Sequence, residues 1–191
     1  MAEAWTLSEE KNLEDGELSK LFNAAKADGP RTRLMIILSY HGALRVSELV
    51  HLKVACFHFD DCIVSVTPVK KIHRPKPVDV IFPRAVMELV RRHVDVESLG
   101  RWLFPGNVKK CWLKNYCAGG HVSKREVQKT FDRLCRATGI KLPGRGIHSL
   151  KHTRLVDVAS KTKDPQRVKE AGRHASVTIA DGYFRFVEGR A

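Results

Sequence analysis

Val54-Ala55-Cys56-Phe57-His58-Phe59-Asp60-Asp61-Cys62-Ile63-Val64-Ser65-Val66 is the stretch on which the fold turns. Its β-branched and aromatic residues gather into two short runs, Val54 to Phe59 and Cys62 to Val66. Asp60-Asp61 parts them as a hairpin turn would. A third run, Val78 to Phe82, has the same character. The intervening basic segment, Val69-Lys70-Lys71-Ile72-His73-Arg74-Pro75-Lys76-Pro77, carries two prolines and reads as a loop or a poor edge, not a central strand. One small antiparallel three-stranded sheet is therefore expected.

On either side of this stretch the period is helical. A helix that Asp15 can cap has an apolar face of Leu18, Leu21 and Phe22 and stops at Asp28-Gly29-Pro30. Arg31 to Tyr40 is strongly apolar and reads as a buried helix. A third helix is expected after His41-Gly42, carrying Ala43 to Leu49. Beyond the sheet, helices are expected over Arg84 to His93, Lys124 to Thr138, His148 to Ser160 and Pro165 to Ala171. The fold class is mixed α+β, mostly helical. The expectation is a single catalytic domain over residues 1–191, with no separate N-terminal DNA-clamping domain.

Charge narrows the partners. Against 21 Asp+Glu stand 34 Lys+Arg, giving a net charge of +13, which draws a protein toward polyanions, nucleic acid foremost. No apolar run reaches membrane-spanning length, and the first residues lack a signal peptide's basic start and apolar core. No membrane association and a cytoplasmic location are the expectation. Five cysteines form no compact disulfide pattern and read as reduced thiols. The pairs Cys56/Cys62 and Cys111/Cys117, the latter followed by His121, are spaced more widely than structural zinc ligands usually are.

Breaking a phosphodiester requires a nucleophile, an acid for the leaving oxygen and cations for the non-bridging oxygens. The chain offers such groups in four places. Arg45 and Glu48 are neighbours on a helix face, either as a phosphate-binding guanidinium with its brace or as a solvated ion pair. Lys70 and Lys71 sit between strands, able to reach a leaving oxygen or simply to face solvent. His148 and Lys151 are three apart on a helix, able to meet one phosphate. His148 and His152 also have a zinc-compatible spacing, but Ser149 stands where the metalloprotease motif has glutamate. The last place runs from Gly172 to Tyr183 and holds Arg173 and His174.

Taken together these places resemble the tyrosine recombinases of the phage integrase family. That family's Ala-Leu-Arg-x-Ser-Glu-Leu box is similar to Ala43–Leu49. Its hairpin lysine is matched by Lys71, or by Lys70 in the alternative register. Its His-x-Leu-Arg-His box is similar to His148–His152. Its Gly-His pair, followed nine positions later by tyrosine, is matched by His174 and Tyr183, with Arg173 interposed after Gly172. The resemblance implies that Tyr183 attacks the scissile phosphate to give a 3′-phosphotyrosyl bond. Arg45 and Lys151 would bind the phosphate, Lys71 would protonate the 5′ oxygen, His148 and His174 would assist, and Glu48 would brace the site. Lys70, Arg74, Lys124 and Arg145 are expected on the DNA. Double-stranded DNA is the implied partner, with a homotetramer on paired sites, and neither a nucleotide cofactor nor a metal is needed.

The chain departs from the pattern chiefly at Lys151, which keeps a charge where the family has arginine but loses its two-pronged grip. Three alternatives remain open: a DNA-binding relative that has lost chemistry and regulates recombination, a relaxase resembling type IB topoisomerases, and a metal-dependent hydrolase built on His148 and His152.

Overall fold

The computed structural model describes residues 7–68, 76–97, 100–106, 120–174 and 176–190. Lys70, Lys71 and Arg74, expected at the DNA, and the pair Cys111/Cys117 lie outside the described residues.

Helix α1 spans Asp15–Asp28. Its N-cap is Glu14 rather than the expected Asp15, and the Glu14 backbone N–H donates to Glu17 Oε2 at 3.0 Å, leaving Asp15 in the first turn. The helix stops at Gly29, whose φ of 125° favours glycine. Pro30 then opens α2, Pro30–His41, where its missing N–H costs nothing. Every residue from Leu34 to Tyr40 of α2 is buried, so this helix is the axis of the core.

The expected third helix starts later and is shorter. Ala43 adopts a left-handed φ of 44°, Arg45 is the N-cap, and α3 covers only Val46–Val50. The sheet is three-stranded and antiparallel in the order β1-β2-β3, with β1 Phe57–His58, β2 Ile63–Val66 and β3 Val78–Ile81. Phe57 faces Val64 and Val64 faces Val80. The strands are shorter than expected because Val54–Cys56 forms a 3-10 turn and Cys62 bends into the left-handed region at φ 56°. Cys56 and Cys62, expected within strands, therefore flank the hairpin as free thiols.

Four helices of the expected set follow: α4 Arg84–Glu97, α5 Lys124–Ala137, α6 His148–Thr162 and α7 Pro165–Gly172. An unforeseen helix, α8, runs Thr178–Glu188. Ser123 caps α5 by accepting from the Glu126 N–H, and Asp164 caps α7 by accepting from the Gln166 N–H.

The apolar residues form two clusters. The larger takes in α1, α2, the sheet, α4 and α5, with Ile147 and Leu150 from the start of α6. The smaller joins Leu7, Ala43, Leu155, Ala159, Val168, Ala180, Tyr183 and Phe186. Helix α6 serves the first cluster through Leu150 and the second through Leu155, so its residues 151 and 152 fall at the changeover. Polar groups can stand there without breaking either core.

Arg145 corrects an expectation. It is 3% exposed, and its donors are spent inside the protein. Nε donates to the Glu10 carbonyl, Nη2 to the Asn12 carbonyl, and Nη1 to the Ile140 carbonyl and to Glu17 Oε1. A guanidinium so desolvated can remain charged only when its donors are met in this way. Arg145 thus pins the N-terminal segment to the loop before α6, and no face of it is left for DNA. Replacing Arg145 with methionine is expected to cost about 3 kcal/mol of stability in urea unfolding, while affinity for duplex DNA changes less than about twofold; a selective loss of DNA binding at unchanged stability would contradict the assignment.

Candidate active site

The approach to Arg45 is fixed by its backbone. The left-handed turn at Ala43 ends α2 and swings the chain so that Arg45 caps α3 in an extended conformation, φ −73° and ψ 151°. Glu48, at the third helical position, reaches back to this cap. Its Oε2 accepts from the Arg45 backbone N–H at 2.8 Å, and its Oε1 accepts from Arg45 Nη1 at 2.9 Å. The carboxylate is fully buried, whereas the Arg45 side chain is 21% exposed. The pair is therefore no solvated ion pair.

A second guanidinium completes the carboxylate's shell. Arg173 Nη2 donates to Glu48 Oε2 at 2.9 Å and to the Ala43 carbonyl, and Nη1 donates to the Gly42 and Ala171 carbonyls. Burial alone would raise the Glu48 carboxyl, but the Arg173 charge, with further help from the Arg45 N–H and Lys151, holds it below its ordinary value.

Lys151 is 5% exposed, and its Nζ donates to the Ala43 carbonyl at 3.1 Å and to the Gly172 carbonyl at 2.7 Å. Gly172 itself is required by proximity, because a Cβ there would lie 2.6 Å from the His174 imidazole.

Tyr183 projects from α8 into the second core cluster and is 1% exposed. Its hydroxyl lies 2.9 Å from His152 Nδ1. Two imidazoles neighbour the ring, His174 stacked at a 6.0 Å centroid distance and His152 tilted at the same distance. Burial pushes the phenol well above its ordinary value, only partly opposed by the Arg45 charge. His152 moves the other way. Burial, then the charges of His148, Lys11 and Lys151, bring it down to about 4, so the imidazole is neutral near neutrality and shares a single hydrogen bond with the phenol through Nδ1.

These groups share one cavity of about 490 Å³, lined among others by Lys11, Arg45, His148, Lys151, His152, His174 and Tyr183. The exposed His148 opens α6 at its mouth. Of the expected site residues, Arg45, Glu48, His148, Lys151, His174 and Tyr183 are brought together. Lys124 stands exposed at the start of α5 and does not line the cavity. His152 and Lys11 were not among the expected site residues. The signal for His152 is its place at the end of the His148–His152 box. Lys11 carried no sequence signal, since it reaches the cavity through the Arg145 clamp on Glu10 and Asn12. Among the described residues, no group of three or more His, Cys, Asp or Glu is placed to hold a metal ion.

A cavity with cations at its floor, imidazoles on its wall and a phenol hydroxyl inside it suits nucleophilic attack on a phosphodiester. The family model for the phage integrase family matches residues 11–188. Tyrosine recombinase XerA of Pyrococcus furiosus is 27% identical over 176 residues, covering 92% of this chain and 57% of the relative. A crystal structure of XerA recombinase superposes with a TM-score of 0.74 at 20% identity, covering 91% of this chain and 58% of that one. The post-cleavage complex of XerH with its palindromic difH substrate gives a TM-score of 0.77 at 22% identity, covering 94% and 50%. A lambda integrase dimer on a COC′ core site gives 0.69 at 18%, covering 94% and 49%. The chain thus spans about half the length of the relatives it matches, and these likenesses establish the fold. No helix among the described residues is long and apolar enough to cross a membrane.

The pKa directions set a pH dependence of stability. His152 is depressed from 6.5 to about 4, so the unfolded chain takes up its proton first as pH falls. Stability is complete above about 6.5 and is lost down to about 4, by about 3 kcal/mol for this group. Glu48, also depressed, adds a loss of the same sign below its ordinary value of 4.5. Denaturant unfolding across this range is expected to show the slope for the wild type, and His152→Gln is expected to flatten it between pH 6.5 and 4.5.

Proposed function

We propose, from the premise that this chain belongs to the phage integrase family, that it is a site-specific DNA recombinase that cuts and rejoins double-stranded DNA through Tyr183. The observation that carries this reading is the shared cavity, in which Arg45, His148 and His174 surround a phenol whose hydroxyl is hydrogen-bonded to an imidazole. The net charge of +13 and the DNA-bound state of the XerH and lambda integrase relatives support DNA as the substrate.

In this mechanism the fork of Arg45 binds the non-bridging oxygens of the scissile phosphate. The Tyr183 oxygen attacks phosphorus, its proton leaving to a neighbouring neutral imidazole, and the 5′ oxygen departs with a proton from Lys71, with Lys70 as the alternative donor. His148 and His174 stabilise charge on the phosphorane. The phosphotyrosyl bond conserves the energy of the broken diester, so religation by a 5′-hydroxyl reverses the step without a cofactor. Strand exchange places four copies on two duplexes. Lys70 and Arg74 contact the DNA backbone.

A second reading, a DNA-binding relative with little chemistry, is favoured by one observation: the Lys151 ammonium is turned to the carbonyls of Ala43 and Gly172. A library of nicked duplexes bearing a 5′-phosphorothiolate separates the two readings on a denaturing gel. Wild-type protein is expected to give a covalent protein–DNA band, Tyr183→Phe none, and Arg45→Ala a band that forms about 10²–10³-fold more slowly. DNA binding without a band in the wild type would establish the second reading instead.

A further inference from the structure

Arg173 occupies a position that L-residues seldom adopt, with φ 51° and ψ 49° at the C-cap of α7. A glycine would sit there without strain, so the side chain is retained against a conformational cost. Its guanidinium is nearly inaccessible, 4% exposed, and makes four hydrogen bonds: to the carbonyls of Gly42, Ala43 and Ala171 and to Glu48 Oε2. None of these groups lines the cavity that holds Tyr183, and Gly42, Ala43, Ala171 and Arg173 line a neighbouring one of about 910 Å³. Lys151 grips the same structure from the opposite side, since its Nζ also donates to the Ala43 carbonyl and to the carbonyl of Gly172, the residue before Arg173. Glu48 in turn holds both the backbone and the fork of Arg45.

We propose that Arg173 is a positioning residue that supplies the second guanidinium of this site as a brace, fixing Glu48 and through it Arg45, and that it acts as a coupled pair with Lys151 through the shared Ala43 carbonyl. The inference rests on the recombinase reading for its catalytic consequence, but not for its structural one. It accounts for the lysine. With a guanidinium already seated on Ala43 and Glu48, a compact ammonium fits beside it, whereas a second planar fork would compete for the same carbonyl. It also accounts for the left-handed arginine, whose strain is offset by a buried ion pair and by four hydrogen bonds from Nη1 and Nη2.

The test uses the full chain and two readouts. The first is the titration of the Glu48 carboxyl by ¹³C NMR. Relative to wild type, its midpoint is expected to rise by about one pH unit or more in Arg173→Gly, with Arg173→Lys in between. The second is the rate of covalent complex formation on the nicked phosphorothiolate duplex. It is expected to fall about 10- to 100-fold in Arg173→Gly at nearly unchanged duplex affinity, its acid limb moving to higher pH. Lys151→Arg alone is expected to be impaired, and Lys151→Arg combined with Arg173→Gly to be less impaired than the product of the two single effects, since the competition for the Ala43 carbonyl is then removed. An unmoved Glu48 midpoint, or single effects that simply multiply, would overturn the proposal. If Arg173→Gly does not fold, Arg173→Lys is read in its place in both measurements, an unmoved midpoint again counting against the proposal. If the wild type forms no covalent complex, the recombinase reading fails, and the Glu48 titration alone decides whether Arg173 positions the carboxylate.

Discussion

A carboxylate removed from water needs its lone pairs met and its charge balanced, or it protonates. Glu48, 2% exposed, meets both conditions by drawing in the Arg45 N–H, the Arg45 fork and the Arg173 fork. Much else follows from that demand. The capping contact places Arg45 at the start of α3 instead of within a longer helix. The bond to Arg173 ties the α7–α8 junction to the end of α2. Lys151 adds a third cation to the same backbone turn. Three cations thus surround one carboxylate, and the floor of the cavity keeps an excess of positive charge. Burying such an excess is unfavourable unless an anion shares it, which is in keeping with the proposed binding of a phosphate.

The nucleophile is held by a different kind of constraint. Tyr183, with Ala180 and Phe186, is the face by which α8 joins the second core cluster, so the phenol that must react also packs. Burial keeps it neutral, and the His152 imidazole hydrogen-bonded to it is itself kept neutral by burial and surrounding charge.

Much of this was legible in the sequence, and the reasons differ by element. The run Leu34–Tyr40 could only be a buried helix, and the β-branched runs about Asp60-Asp61 could only be a small hairpin; both are local patterns. The boxes placed Arg45, His148, His174 and Tyr183 in one site because their order and spacing are carried along the chain. What escaped depends on contacts distant in sequence. Arg145 reads as one more surface cation until Glu10, Asn12 and Ile140 present their carbonyls to it. Lys11 lines the cavity through that same clamp. In helix α8 the recurrence of Ala180, Tyr183 and Phe186 at helical spacing is masked by Gly182, a poor helix former within the stretch. The direction of the Lys151 ammonium depends on where the Ala43 turn points a carbonyl.

That last case bears on how far a motif can be read. An arginine replaced by lysine in an otherwise intact box suggests a weakened site if each position is taken alone. The structure instead shows a lysine and an arginine meeting at one carbonyl, with the arginine arriving from a position whose backbone suits glycine. The unit that keeps its properties is the set of charges around Glu48, not any one residue in it. A planar fork is needed where a carboxylate must be clasped in two directions, and a compact ammonium suffices where carbonyls alone are to be gripped. Which chain segment supplies which is secondary, provided that Arg45 alone is left exposed enough to meet a phosphate.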